Sequence, residues 1–154
     1  MSYTQIKKEQ ILNTDIKNLW DFMSSPKNLS RITPKSMLFK ITSNNKNDKI
    51  YPGMIISYKV APLLNIPITW VTEITHVKEN KYFVDEQRIG PYKIWHHEHI
   101  FKPLDDKKIL VTDIITYVPP FGFIGKILNK ILIKNKVEDI FDYRERILED
   151  MFNK

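Results

Sequence analysis

The sequence predicts an α+β domain built on an antiparallel sheet. Three observations carry that prediction: a first strand followed by two short helices, six strand-like segments separated only by turns, and a helical final third. Consecutive strands with short connections pair as an antiparallel meander. No linker or repeat divides the 154 residues, so one domain spanning 1–154 is expected.

Tyr3 to Leu12 reads as the first strand. Asn13-Thr14 offers side chains able to cap a helix entering at Asp15, in which Ile16, Leu19, Trp20 and Met23 recur at helical spacing and face the core. Ser25-Pro26 is a second start signal and predicts a short helix to about Ile32. Strands are expected over 37–42, 54–60, 66–77, 82–88, 94–101 and 109–118, with turns at 44–48, 62–65, 79–80, 90–91 and 105–106.

In the final third the apolar stripe changes phase. Ile124, Ile127, Leu128 and Ile131 share one face, whereas Val137, Ile140, Phe141, Ile147, Leu148 and Met151 lie nearly opposite on an uninterrupted helix. The shift predicts a break near residues 134–136, where Asn135 and Glu138 have capping-box spacing. The piece before it carries Lys126, Lys130 and Lys134 at four-residue intervals. Two readings stand for it: a surface helix with a solvated lysine stripe, which the pattern favours, and transient membrane contact through residues 121–134. Pro119-Pro120 and Gly122 would let such a segment move as a lid.

Composition narrows the function classes. Without cysteine there is no disulfide framework, thiolate metal site or thiol nucleophile, which fits a cytoplasmic location. The N-terminus lacks an apolar signal core, and no apolar run approaches the ~20 residues that span a bilayer. The net charge of +6 comes from lysines scattered along the chain, without Arg-rich runs, and so argues against nucleic-acid binding.

The chemistry concentrates in Tyr82–Phe101. There, two strand-like arms around Gly90-Pro91 hold Asp85, Glu86 and Gln87 on one side and His96, His97, Glu98 and His99 on the other. Side chains alternate across a strand, so parity decides which groups can meet. Ile109, Val111, Ile115 and Tyr117 make the bulkier face of the last strand, and Asp113 belongs to it. Trp95, His97, His99 and Phe101 form the aromatic face of the preceding strand; Phe83, Asp85 and Gln87 form a set in theirs, and Trp70, Thr72 and Ile74 in theirs. Together these faces predict a mostly apolar pocket with a few convergent polar groups.

The wording then resembles a known pattern. Ile32-Thr33-Pro34, Gly53 to Tyr58, Trp70, Asp85-Glu86-Gln87, Gly90-Pro91, Trp95-x-His97-x-His99-x-Phe101, Asp113, Tyr117 with Pro119-Pro120, and Phe141-x-Tyr143-Arg144 resemble, in order, a bacterial subgroup of the START and Bet v 1-like (SRPBCC) superfamily. The resemblance covers essentially the whole chain. It implies a helix-grip fold, a curved seven-stranded antiparallel sheet (β-α-α-β6-α) around a long C-terminal helix. Between sheet and helix it implies a cavity for a hydrophobic or amphipathic molecule such as a lipid, quinone or aromatic polyketide. Some members of the superfamily are cyclases or dehydratases.

Four roles compete for the polar interior. Its groups can satisfy one another, as buried polar groups usually do. They can orient a ligand, with Trp70, Asp85, Gln87, Trp95, His97, His99, Asp113, Tyr117 and Phe141 as its contacts. They can catalyse, with His97 or His99 and Asp113 or Asp85 as an acid-base pair. Finally, His97-x-His99 with a carboxylate has the makings of an open zinc or iron site. Lacking a clear third histidine, the sequence assigns no metal and no cofactor. Non-covalent binding of a small molecule is the expected function, and acid-base catalysis its alternative.

Overall fold

The computed structural model describes residues 3–44, 48–61 and 66–154. The expected turn at 62–65 and the middle of the one at 44–48 lie outside the described residues. Strands β1 (Thr4–Leu12), β2 (Lys40–Ile41), β3 (Met54–Val60), β4 (Ile68–Lys78), β5 (Tyr82–Ile89), β6 (Ile94–Asp105) and β7 (Lys108–Val118) form one sheet in the order β1-β7-β6-β5-β4-β3-β2. Every neighbouring pair is antiparallel. Helix α1 (Ile16–Met23) and two 3-10 turns, Pro26–Arg31 and Lys35–Met37, connect the two edge strands.

Local chemistry moves several boundaries. Asp15, rather than Asn13 or Thr14, caps α1: its backbone is extended and its carboxylate accepts from the Asn18 amide at 2.8 Å. Ser25 makes no side-chain cap, and the segment after Pro26 stays 3-10. β2 is two residues long because Lys35–Met37 turns and Leu38 takes a left-handed backbone, φ 48°, which ends extended pairing on that side. The register of β4 against β5 shifts between Val71 and Thr72 and again between Ile74 and His76. The second shift reverses side-chain parity, so Trp70, Thr72 and Ile74 are buried and the next residue packed on the core is Val77.

The C-terminal helix has its interruption at Asn129–Ile133, slightly before the expected 134–136, and as a π turn rather than a new cap. Helix α2 (Gly122–Leu128) runs through that turn into α3 (Lys134–Phe152) without leaving helical geometry. A π turn holds one extra residue, which rotates the following stripe by about 100°. That rotation covers part of the phase change without an Asn135 cap, and the apolar face of α2 stays exposed while Val137, Phe141 and Leu148 are buried. Asn129 anchors the turn: its Oδ1 accepts from the buried Tyr117 hydroxyl at 2.8 Å and its Nδ2 donates to Thr4 Oγ1 at 2.9 Å.

Past the turn, Val137, Phe141, Arg144 and Leu148 face the sheet. Three apolar clusters surround the space between sheet and helix. One joins α1 to Phe83, Phe101, Ile109 and Leu148; another joins Ile6, Ile115 and Tyr117 to Val137 and Phe141; the last is Met54, Ile56 and Ile74.

Candidate functional site

The space between these clusters is a cavity of about 180 Å³. β3 and β4 give it an aromatic wall because Tyr58 and Trp70 stand opposite each other in register. Their rings stack at 6.1 Å, and Trp70 meets Trp95 edge-on at 5.3 Å and Tyr92 at 5.7 Å. Thr72 ties the wall together: the Trp70 indole donates to its hydroxyl, which also bonds the Tyr58 hydroxyl, both at 3.1 Å. Burial pushes the Tyr58 and Tyr92 phenols well above their ordinary range, so both stay neutral donors.

One end of the cavity is polar. Register places Asp85 of β5 opposite His97 of β6, and His99 of β6 opposite Asp113 of β7. The imidazoles lie side by side, ring centres 3.7 Å apart, with Phe83 stacked on His99 and Phe141 edge-on to His97. His97 Nε2 is 2.9 Å from Asp113 Oδ1 and its Nδ1 is 3.4 Å from Asp85 Oδ2. His99 Nε2 is 2.7 Å from Asp85 Oδ2 and its Nδ1 is 3.1 Å from Asp113 Oδ1. From α3, Arg144 Nη2 reaches His99 Nδ1 at 2.9 Å and Asp113 at 3.3 Å. The buried Arg144 Nε has no partner among the described residues.

Charge and geometry together fix the protonation of this group. Burial opposes ionisation of both carboxylates, yet both are held below their usual range, Asp113 chiefly by the Arg144 guanidinium and Asp85 by hydrogen bonds from the two histidines. Two anions beside one guanidinium leave room for one more positive charge, and of the two histidines it is His97 whose surroundings favour it. Burial alone would lower its pKa, but the flanking Asp113 and Asp85 outweigh burial and raise it. His99 is pushed down, first by burial and then by the charge on His97. Arg144 has only donors, so His99 Nδ1 must present its lone pair and the proton sits on Nε2, donating to Asp85.

Of the expected ligand contacts, Trp70, Asp85, Trp95, His97, His99 and Phe141 line the cavity. Gln87, Asp113 and Tyr117 do not. The Gln87 amide closes the β5–β6 connection, donating to the Tyr92 carbonyl at 2.7 Å and accepting from its amide at 3.2 Å. Asp113 stands behind the histidines, and Tyr117 is spent on Asn129. Arg144 was absent from the expected set although the pattern held a signal: it occupies a core position in the stripe Val137, Phe141, Leu148. An arginine there needs a buried anion. Tyr58 and Tyr92 were also missed.

The first turns of the C-terminal helix present a separate feature. The apolar side chains of α2 and its flanks are turned out from the protein: Phe121, Phe123 and Ile131 are 73%, 77% and 68% exposed, and Ile124, Ile127 and Leu128 are exposed as well. The expected lysine stripe is therefore only half the surface. Lys130 and Lys134 are exposed; the side chain of Lys126 lies outside what is described. The helix is held at its start by Gly125, where any Cβ would fall 1.6 Å from the Pro120 carbonyl oxygen. Among the described residues, no helix is long and apolar enough to cross a membrane.

No protein-family description matches the sequence, and no curated protein matches it either. Solved structures do. Ginseng major latex-like protein 151 from Panax ginseng is 12% identical, with a TM-score of 0.70 over 97% of each chain. Norcoclaurine synthase from Thalictrum flavum, in complex with dopamine and hydroxybenzaldehyde, is 14% identical, with a TM-score of 0.66 over 97% of this chain and 88% of that one. The ZhuI aromatase/cyclase from Streptomyces sp. R1128 is 10% identical, with a TM-score of 0.66 over 97% and 96%. What this chain shares with them is architecture: it has the helix-grip fold, a curved seven-stranded antiparallel sheet closed by a long C-terminal helix.

Proposed function

We propose that the protein binds a small amphipathic molecule in the cavity between sheet and C-terminal helix, for carriage or sensing. The observation that supports this most is the pairing of an aromatic wall, built on Tyr58, Trp70, Tyr92 and Trp95, with a polar end formed by Asp85, His97 and His99. An apolar cavity of about 150 Å³ is enough to hold benzene. One of about 180 Å³ suits a body of one or two rings, or a short chain, with a polar head, better than a sterol. Norcoclaurine synthase, crystallised with two small aromatic compounds, has the same architecture and agrees with that size class.

The test has two parts. Native mass spectrometry of protein taken directly from cells should reveal a retained compound of this class. Purified protein should also bind 1-naphthol with quenching of tryptophan fluorescence, and Trp70→Ala should weaken that binding about tenfold or more, since stripping a large buried aromatic contact costs well over 1.4 kcal/mol. Binding that is unchanged in Trp70→Ala would place the ligand elsewhere and end this reading.

The exposed apolar row of residues 121–131, with Lys130 and Lys134 beside it, supports loading and release at an anionic bilayer surface. A second reading is acid-base catalysis of the cyclase or dehydratase kind. It is favoured by His99 Nε2 lying 2.7 Å from Asp85 at the cavity wall, with Asp113 placed to hold the second imidazole. Asp113→Asn separates the two: affinity of a carrier should change modestly, whereas turnover of an enzyme should vanish.

A further inference from the structure

We infer that His97, His99 and Asp85 form a site for one divalent borderline metal ion, of the zinc or ferrous-iron class, open to the cavity and backed by Asp113. Each of the three residues offers a donor atom within 4.8 Å of the other two. Asp85 Oδ2 is the common corner, 3.4 Å from His97 Nδ1 and 2.7 Å from His99 Nε2. A tetrahedral ion with bonds of about 2.0–2.1 Å holds its ligands about 3.3 Å apart. The His97 edge already has that spacing, and the His99 edge must open by about half an ångström.

The stronger argument lies behind the histidines. Both far nitrogens, His97 Nε2 and His99 Nδ1, converge on the same oxygen, Asp113 Oδ1, at 2.9 and 3.1 Å. A metal-bound imidazole nearly always donates its other N–H to such a carboxylate. As the side chains stand, His99 Nδ1 is an acceptor for Arg144, so its approach to Asp113 brings two acceptors together. With an ion on Nε2 the proton moves to Nδ1, and that approach becomes a hydrogen bond. Arg144 then gives up His99 and keeps Asp113, already 3.3 Å away. The residues are fixed by strand register, since Asp85 faces His97 and Asp113 faces His99 across adjacent strands.

The site also restricts what the cavity takes. A divalent ion and the guanidinium against two carboxylates leave one positive charge in a buried place. A hydroxide, or the carboxylate, enolate or phenolate head of a ligand, would cancel it in the open coordination position.

Full-length protein stripped with a chelator and dialysed against Zn²⁺ should retain one equivalent, and Co²⁺ in its place should give the intense visible bands of a four- or five-coordinate ion. Asp85→Asn and His99→Gln should each lower Zn²⁺ affinity by more than the 10- to 100-fold typical of losing an outer partner, and Asp113→Asn by an amount within that range. His96→Asn, which removes an imidazole bonded to Glu86 on the other face of the sheet, should leave affinity unchanged. Circular dichroism checks folding of each variant. Because a cluster variant can unfold, X-ray absorption of the Zn²⁺-loaded native protein provides an independent reading and should show two imidazoles. A native protein that retains no ion, a Co²⁺ spectrum of the hexa-aqua kind, fewer than two imidazoles, or equal affinity in folded Asp85→Asn would overturn the proposal. None of these readouts depends on an organic ligand, so the site and the binding function stand or fall separately.

Discussion

At the scale of single residues, Asp113 is the centre of charge. It is buried and faces Arg144 and both histidines. Asp113→Asn leaves a buried guanidinium and a buried imidazolium with too little negative charge, a situation that costs about 3–5 kcal/mol. Urea unfolding should show that loss, and adding Arg144→Met should restore part of it, since the second change removes the stranded cation. Additive losses in the double variant would mean that the two groups are not coupled. In chelator-treated protein the raised pKa of His97 gives a signed pH dependence. Its contribution is complete below the unfolded histidine value, about 6.5, and is lost as pH rises through the higher folded value. The stability gap between native protein and His97→Gln should therefore shrink as pH rises above about 6.5, whereas a gap that widens would assign the proton to another group. His99, whose pKa is lowered, works in the opposite sense, its share present above about 6.5 and lost as pH falls through its lower folded value. Alternation made Asp85, His97, His99 and Asp113 readable from sequence as neighbours. Arg144 comes from an element whose docking alternation does not describe, which is why the anions were legible before their cation was.

At the scale of elements, the sequence announced a change of helical phase but not its mechanism. Asn135 and Glu138 have the spacing of a cap, yet a helix can change face without ending if one turn takes an extra residue. Asn129, buried and bonded to Tyr117 and Thr4, holds a π turn that rotates the stripe partway, and the α2 face is left exposed. Asn129→Ala would leave the enclosed Tyr117 hydroxyl without its acceptor and should cost about 1–3 kcal/mol in thermal or urea unfolding. A neutral result would show that local helix preference alone sets the turn. Strand boundaries were legible wherever a turn signal was strong, as at Glu79-Asn80 before β5. They failed at Met37–Phe39, where a 3-10 turn and a left-handed Leu38 cut short what reads as a strand. The exposed side of α2 was not legible at all, because periodicity locates an apolar face without saying whether anything covers it. Phe123→Glu with Ile131→Glu should leave the fold intact, as both side chains are outside it, and should abolish co-sedimentation with vesicles containing phosphatidylserine. Native protein that stays in the supernatant at low salt would remove the membrane role.

At the scale of the molecule, the question is why a domain of this size keeps a hollow. Among the described residues the buried apolar side chains gather in three clusters around an apolar space, and a void forfeits the dispersion contacts of the atoms that line it. A sequence selected only for stability would close it. The seating of α3 sets the volume, and periodicity does not encode that seating, so the architecture could be read from the chain while the cavity could not be measured from it. Ile56 is buried on the inner face of β3 and lines the space, so Ile56→Phe puts added volume into it. If the hollow is a ligand site, the variant should gain stability, by the roughly 0.5–2 kcal/mol seen when cavities are filled, and lose 1-naphthol binding at least tenfold. Stability and binding would then move in opposite directions through one substitution. If instead the interior is already packed, the larger ring must strain its neighbours, and the same unfolding measurement should show a loss of about 1–3 kcal/mol. The sign of that one number therefore decides between a space kept open for a ligand and an interior with no room to spare.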